Sequence, residues 1–496
     1  MTGDFPDFAA KRAELSPDRI ALEEAATGRT LTYAQLDSRA AAAASLMAQR
    51  GVKAGDRVAI LCRNRIAFFE ILFGCAKLGA ILVPLNWRMP PAELDGLVAD
   101  CEPSLLFCDG GGAATARALA AAPPILCLDE AYERALASAE PCAWRRSWPA
   151  ESTWYLIYTS GTTGRPKGVI YAYRMALSNH VSIGAAIGLS GADRTIAFLP
   201  NFHTAGINLH ALPTLIAGGQ VTILESFDAD ALVGLLTERR LDTFFGVPTV
   251  YQELLDHPDF ARAPLRSVRH WGCGGAPLPD RLVERYRELG VRVCNGMGMT
   301  ETGPTAFLAD PADAWDRIGS VGRARTLCNA RIVDEEGRDV ADGEVGDLLF
   351  SGPGVTPGYW GDEAATRAAF TADGWLRSGD LARRDRDGFH YIVGRRKEMF
   401  ISGGENVYPA EVEKVLAAHP AIAEAAVVPA PDPRWGEVAR AFILTTSGST
   451  PTPEELHAFC RARLAAYKVP RSFEYVSDFP RTAAGKIRKH ALSVAE

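Results

Sequence analysis

From Tyr158 to Val169 the chain reads YTSGTTGRPKGV. The hydroxyls of Thr159, Ser160, Thr162 and Thr163 crowd around Gly161 and Gly164, and Lys167 follows. Glycine lets backbone approach an anion closely. Free N–H groups and hydroxyls can then donate to phosphate oxygens. Lys167 adds a compact positive charge. The run is a candidate phosphate loop. It is not a Walker A loop, because Lys167 follows Gly164 by three residues and is itself followed by Gly168 rather than Ser or Thr.

Three further groups carry chemistry. GMGMTET spans Gly296 to Thr302. After its glycine turn, the Thr300 hydroxyl can meet a phosphate and the Glu301 carboxylate a hard cation such as Mg²⁺. WLRSGDLA, Trp375 to Ala382, carries Asp380. One carboxylate accepts two hydrogen bonds, so it can grip both hydroxyls of a ribose. PRTAAGKIRK, Pro480 to Lys489, carries Lys486 after Gly485. Taken singly, each of these charges reads as solvated surface.

These residues need a large scaffold, and 496 residues with 47% hydrophobic content supply more than one domain. Net charge is −7, which excludes a general nucleic-acid binder and requires local basic groups for any polyanion. Ten cysteines form no C-x-x-C pair; the nearest neighbours, Cys101 and Cys108, lie at no metal-ligand spacing. Reduced thiols in a cytoplasmic protein account for them. The N-terminus has acidic residues and no apolar signal core. The apolar stretch Ala67 to Leu85 is broken by Glu70 and Lys77, so it reads as buried helix rather than a transmembrane segment.

Helices are expected at 33–50 and 67–78, and strands at 58–62, 80–85, 104–108, 124–128, 195–199, 220–224 and 243–247. That alternation predicts an α/β fold of parallel sheets covered by helices. From Ile332 to Tyr391 short strands separated by charged and glycine turns predict an antiparallel or barrel-like unit. Beyond Gly394 the segment RRKEMFISGGENVYP turns polar. Helices at 410–418 and 453–466 and strands at 423–428, 439–446 and 472–476 follow, enough for a small second α+β domain.

The motifs together resemble the adenylate-forming superfamily: acyl- and aryl-CoA synthetases, adenylation domains of peptide synthetases, and firefly luciferase. The resemblance spans essentially the whole chain. It implies a large N-terminal AMP-binding domain (1–394) of two doubly wound sheets plus a β-barrel. A hinge (395–397) and a small mobile C-terminal lid (398–496) would follow. It assigns Thr300 to the α-phosphate, Glu301 to Mg²⁺, Asp380 and Arg395 to the ribose, and Lys486 to the adenylation step. It places Gly274, Gly275, Ala276, Pro277, Asn295, Gly296 and Met297 along the nucleotide. Met297 stands where the family usually has a Tyr that stacks on adenine.

Lys397 takes the hinge position. Gly403 and Gly404 would line the pantetheine tunnel, and Trp435 and Lys468 would meet the CoA nucleotide. His203, in FHTAGIN, matches the mouth of the acyl pocket, which FFGVPT, WGCGGAP and the Gly296 to Met299 strand complete. Amino-acid-activating relatives carry an Asp where His203 stands, so an amino acid is disfavoured. The expected reaction is ATP-dependent formation of an acyl-AMP and then an acyl-CoA thioester, on an aryl, cyclic or medium-chain acid. ATP, Mg²⁺ and CoA are the implied cofactors. A stand-alone adenylating enzyme that loads a carrier protein is the alternative. Many members dimerise, so a homodimer is open to this chain.

Overall fold

The computed structural model describes residues 3–140, 144, 146–159, 166–446, 450–481 and 487–492. Ser160, Gly161, Thr162, Thr163, Gly164 and Lys486 lie outside the described residues.

The first sheet has six strands in the order Lys167–Ala172, Thr153–Thr159, Ile81–Pro84, Arg57–Leu61, Leu105–Cys108, Ile125–Cys127. All its pairings are parallel except that of the first two. In Arg57–Leu61, Val58 and Ile60 join the apolar cluster on one face, and Ala59 and Leu61 join that on the other. A strand buried on both faces is apolar throughout, and its helical crossovers cover it. One of those, Ile66–Leu78, buries Glu70 and Lys77 as well. Lys77 is paired with Asp7 at 2.7 Å and with Asp37, and Glu70 with Arg39, so neither charge interrupts the helix.

A second sheet runs Arg194–Ala197, Gln220–Ile223, Ile20–Glu24, Thr30–Thr32. Its first strand lies beside the third sheet, where Thr195 donates to the Thr243 carbonyl at 3.1 Å. The third sheet begins with three parallel strands, Thr243–Gly246, His270–Cys273 and Val293–Gly298, and ends antiparallel at Thr305–Leu308 and Arg323–Ala324. The strands 329–333, 345–351, 376–384 and 390–395 form an antiparallel meander. A bridge between Gly322 and His390 ties it to the chain leaving the third sheet.

Past a short 3-10 turn, Arg396–Glu398, the chain builds its own sheet around the paired strands Ile422–Asp432 and Gly436–Thr445. The helices Pro409–Ala417 and Pro453–Arg461 pack on it around a separate core. The second helix is shorter than its pattern predicts. The chain turns at Ala462 so that Leu464 and Val469 both reach that core. This unit touches the larger one through Lys414 and Asp280, 3.0 Å apart, and through Arg281, which donates to the Ile422 carbonyl at 3.1 Å.

Candidate active site

Thr159 and Lys167 face each other across the antiparallel pair that brackets the phosphate-loop motif. The segment Gly358–Trp360 runs along the other edge of the Lys167 strand: Ile170 N donates to Gly358 O at 3.1 Å and Trp360 N to Gly168 O at 2.8 Å. That contact seats the Tyr359 ring with its centroid 5.1 Å from the Lys167 ammonium. The Tyr359 hydroxyl donates to Glu301 Oε1 at 2.9 Å. One aromatic residue therefore joins the base of the phosphate loop to the candidate metal ligand.

Glu301 is buried, in the 3-10 turn Thr300–Thr302 that ends the Val293–Gly298 strand. The turn is fixed from several sides. The Thr302 hydroxyl accepts from Met299 N at 3.0 Å and donates to Pro304 O at 2.7 Å. Gly298 is required there, since a Cβ would lie 1.6 Å from the Pro304 carbonyl oxygen. The Tyr171 hydroxyl donates to the Thr300 carbonyl at 2.7 Å and contacts the Thr204 hydroxyl. Thr204 also accepts from Asn208 at 3.2 Å, and Asn208 accepts from Tyr155 at 2.6 Å. Burial raises the Tyr171 and Tyr359 phenols above their ordinary range, with the Glu301 carboxylate adding to it, so both stay neutral donors.

Asp380 and Arg395 are cross-strand partners in the meander, and their side chains pair at 2.8 Å. Asp380 is 5% exposed, and its N–H is held by the Ser378 hydroxyl at 3.0 Å. Met297 and Met299 pack against the cluster that contains Leu376 and Ala382 of the Asp380 strand, which brings the Thr300 turn and the Asp380 strand together. Met297 is half-buried there.

Gly274 directly follows the strand His270–Cys273, beside Gly296, and a Cβ on it would lie 2.8 Å from the Gly296 carbonyl. Gly275, Ala276 and Pro277 follow as an exposed loop. Asn295 faces the other way, and its amide donates to the Ser320 carbonyl at 3.0 Å. That bond fixes the Asn295 amide against the chain that leaves the third sheet. His203 precedes the short helix Thr204–Asn208, its ring 4.6 Å from that of Phe202.

In the C-terminal unit, Lys397 is exposed in the Arg396–Glu398 turn. Gly403 and Gly404 form the turn between two short strands, at φ +59° and +88°. The Trp435 ring lies directly on Gly403, where a Cβ would be 2.3 Å from it, so three of the expected CoA-side residues form one patch. Lys468 is elsewhere engaged: its ammonium is 2.8 Å from both Glu411 oxygens.

Nothing in the sequence marks Tyr171 or Tyr155, and Asn208 enters only as the last residue of FHTAGIN. The glycine-flanked aromatic in PGYWGD was the one signal for Tyr359. Among the described residues no group of three or more His, Cys, Asp or Glu side chains could hold a metal. A single carboxylate suits Mg²⁺, which keeps several waters and takes phosphate oxygens as ligands. Glu301, with Oε1 already oriented by Tyr359, fits that role.

The model of the family described as AMP-binding enzyme matches residues 9–360, and that of the AMP-binding enzyme C-terminal domain matches residues 411–486. The chain is 41% identical over 489 residues to a feruloyl-CoA synthase of Amycolatopsis sp, covering 98% of this chain and 97% of that one. It is 38% identical over 509 residues to an indoleacetate–CoA ligase of Aromatoleum aromaticum, covering 98% and 97%. The o-succinylbenzoate CoA synthetase of Bacillus subtilis, solved with its acyl-adenylate intermediate, superposes with a TM-score of 0.90 at 31% identity, covering 100% of this chain and 99% of that one. The same enzyme solved with ATP and a magnesium ion superposes equally well.

Proposed function

We propose, from the premise that the chain belongs to the AMP-binding enzyme family and is an AMP-forming acid–CoA ligase, that its acid is an aryl acid. ATP and Mg²⁺ serve the first half-reaction, and CoA accepts the acyl group in the second. The observation that carries the aryl reading is the likeness to a feruloyl-CoA synthase, 41% identical over 489 residues, and to an indoleacetate–CoA ligase, 38% identical over 509 residues. Gly274, where a Cβ would lie 2.8 Å from the Gly296 carbonyl and 3.3 Å from the Phe245 ring, keeps an aromatic ring against bare backbone near that end of the sheet.

In this reading the loop from Thr159 to Lys167 and the Thr300 hydroxyl hold the phosphates, and Asp380 with Arg395 holds the ribose. Glu301 holds Mg²⁺. The acid's carboxylate attacks the α-phosphorus and pyrophosphate leaves. Two anions must approach, and Lys486 supplies the positive group that offsets their repulsion. The lid 398–496 then turns about 395–397, and the patch of Gly403, Gly404 and Trp435 receives CoA, whose thiolate displaces AMP. Nine described cysteines are free, in keeping with a cytoplasmic setting.

The test is AMP formation from ATP and Mg²⁺ over a panel of aryl, cyclic and straight-chain acids, with and without CoA. CoA-dependent turnover concentrated on aryl acids is the expected outcome. Preference for straight-chain acids would overturn the aryl assignment. Pyrophosphate release that CoA does not accelerate would point to a carrier protein as acceptor.

A further inference from the structure

Cys108 and Cys127 end two neighbouring parallel strands of the first sheet, Leu105–Cys108 and Ile125–Cys127, and they are partners in register. Side chains at such positions point to the same face. The two sulfurs are accordingly 3.7 Å apart, and one thiol can donate to the other. Nineteen residues separate them along the chain, so no local spacing announces the pair.

The two thiols differ in access. Cys108 is fully buried in the apolar cluster that also contains Ala113 and Ala116, whereas Cys127 packs against that cluster and is half-buried. Burial first, then the contact with Cys127 and the Asp109 charge, push the Cys108 thiol up to about 12, while Arg117 opposes them. Thiols oxidise through the thiolate and where solvent reaches them, so Cys127 is the one that an oxidant meets first. The two also differ in anchorage. Beside Cys108, the Asp109 carboxylate accepts from Arg63 N at 2.9 Å and from Gly112 N at 2.7 Å, which fixes that strand end to both neighbouring loops. Ile125–Cys127 is three residues long and is the last strand in the order of its sheet. It can shift toward Cys108 without disturbing a strand beyond it. Adjacent strands lie about 4.8 Å apart, inside the range of about 4.4–6.8 Å between Cα atoms that a disulfide spans.

We infer that Cys108 and Cys127 form a reversible oxidation site, in which Cys127 takes the oxidant and Cys108 resolves it to a disulfide. Hydrogen peroxide transfers one oxygen to the Cys127 sulfur, giving a sulfenic acid, and its other oxygen leaves as water. The Cys108 sulfur then attacks the Cys127 sulfur. The S–S bond forms, and the hydroxyl of the sulfenic acid leaves with the Cys108 proton as a second water. Two thiols are oxidised and one peroxide is reduced. A dithiol reductant reverses the step by exchange. Capture by Cys108 thus keeps Cys127 from the sulfinic and sulfonic acids, which a thiol does not reverse. A disulfide that forms and breaks in this way suits a chain whose described cysteines are all free.

The experiment treats the full-length reduced protein with rising hydrogen peroxide, blocks remaining thiols with N-ethylmaleimide, and digests it with trypsin without reduction. Cleavage after Arg117 parts the two cysteines, so their bond appears in the mass spectrum as a joined peptide pair. Cys328, also half-buried, serves as the internal comparator. In wild type the joined pair should form at peroxide levels that leave Cys328 reduced, and dithiothreitol should separate it. In Cys108→Ser, or Cys108→Ala if the serine is not tolerated, Cys127 should instead accumulate as sulfinic and sulfonic acid that dithiothreitol does not restore. In Cys127→Ser, Cys108 should stay a free thiol under the same exposure. Oxidation of Cys328 with Cys108 and Cys127 both still reduced overturns the inference. So does equal over-oxidation of Cys127 in wild type and in the Cys108 variants, and oxidation of Cys108 in Cys127→Ser as fast as in wild type overturns the division of roles.

Discussion

A carboxylate that binds Mg²⁺ has to present one oxygen in a fixed direction, and for Glu301 in the proposed metal role the Tyr359 hydroxyl does this by holding Oε1 at 2.9 Å. Hydrogen bonds to charged groups contribute about 1.5–3 kcal/mol. Tyr359→Phe keeps the ring beside Lys167 and removes that bond. Acyl-adenylate formation should fall about tenfold to a hundredfold, with the Mg²⁺ requirement shifted upward and the melting-temperature gain on adding Mg²⁺ and ATP reduced. Exchange of labelled pyrophosphate into ATP across a Mg²⁺ series measures it, and an unchanged Mg²⁺ dependence would separate Tyr359 from the metal. The contrast between Glu301 and Tyr359 also shows which parts of the candidate site the sequence makes legible. Thr300, Glu301, Asp380 and Lys167 sit in short contiguous motifs whose residue types suggest the roles proposed for them. Tyr359 is 58 residues from Glu301 and Tyr171 is 129 from Thr300, so only folding brings them into contact. Likewise no local pattern encodes the pairing of Lys468 with Glu411 or of the Asn295 amide with the Ser320 carbonyl.

At the scale of elements, the segment that carries Lys486 is held at both flanks. Arg481 bridges to Ile487, and Arg488 N donates to Pro480 O at 2.7 Å. Lys489 then reaches Glu398, one residue past Lys397, at 2.7 Å, and Glu413 of the helix Pro409–Ala417 at 2.8 Å. Burial raises the Glu413 carboxyl; it also disfavours the Lys489 charge, but Glu413 and Glu398 outweigh that and hold the ammonium up. One cation therefore fastens the chain after Ile487 to Glu398 and to the helix Pro409–Ala417, which in the proposed reading ties the Lys486 tail to the hinge end of the lid. Lys489→Met would leave Glu413 buried without this cation. Acyl-AMP formation should fall by about tenfold or more, thioester formation from supplied acyl-AMP should fall much less, and Lys489→Arg should recover most of the loss. Single-turnover measurement of the two half-reactions decides it. Equal losses in both would make Lys489 a general stabiliser of the lid.

For the whole molecule, the alternation of strand and helix patterns was enough to read an α/β chain. Strands buried on both faces appear as unbroken apolar runs such as VAIL at Val58 to Leu61. The long-range order of the sheets was not legible: Ile20–Glu24 pairs with Gln220–Ile223, and no local pattern encodes a partner two hundred residues away. Nor did the sequence announce the cost of joining the second and third sheets, where His210 and His270 are buried as neutral rings. That cost appears in acid. Both folded pKa values, about 4 and about 3, lie below the ordinary value of 6.5. Asp193 favours a charge on His210, while Arg269 and Arg325 oppose one on His270. Between these values the unfolded chain binds more protons than the folded one, so stability falls as pH drops below about 6.5 and continues to fall toward pH 3. Over that span His210 is worth about 3 kcal/mol and His270 about 5 kcal/mol. Between pH 6.5 and 5 most carboxylates stay ionised, so the slope of stability against pH reports chiefly on histidines. Urea unfolding at steps of pH across that interval should give a shallower slope for His270→Phe than for wild type. Parallel slopes would mean that His270 is protonated within the native fold and that its ring is less enclosed than its packing indicates.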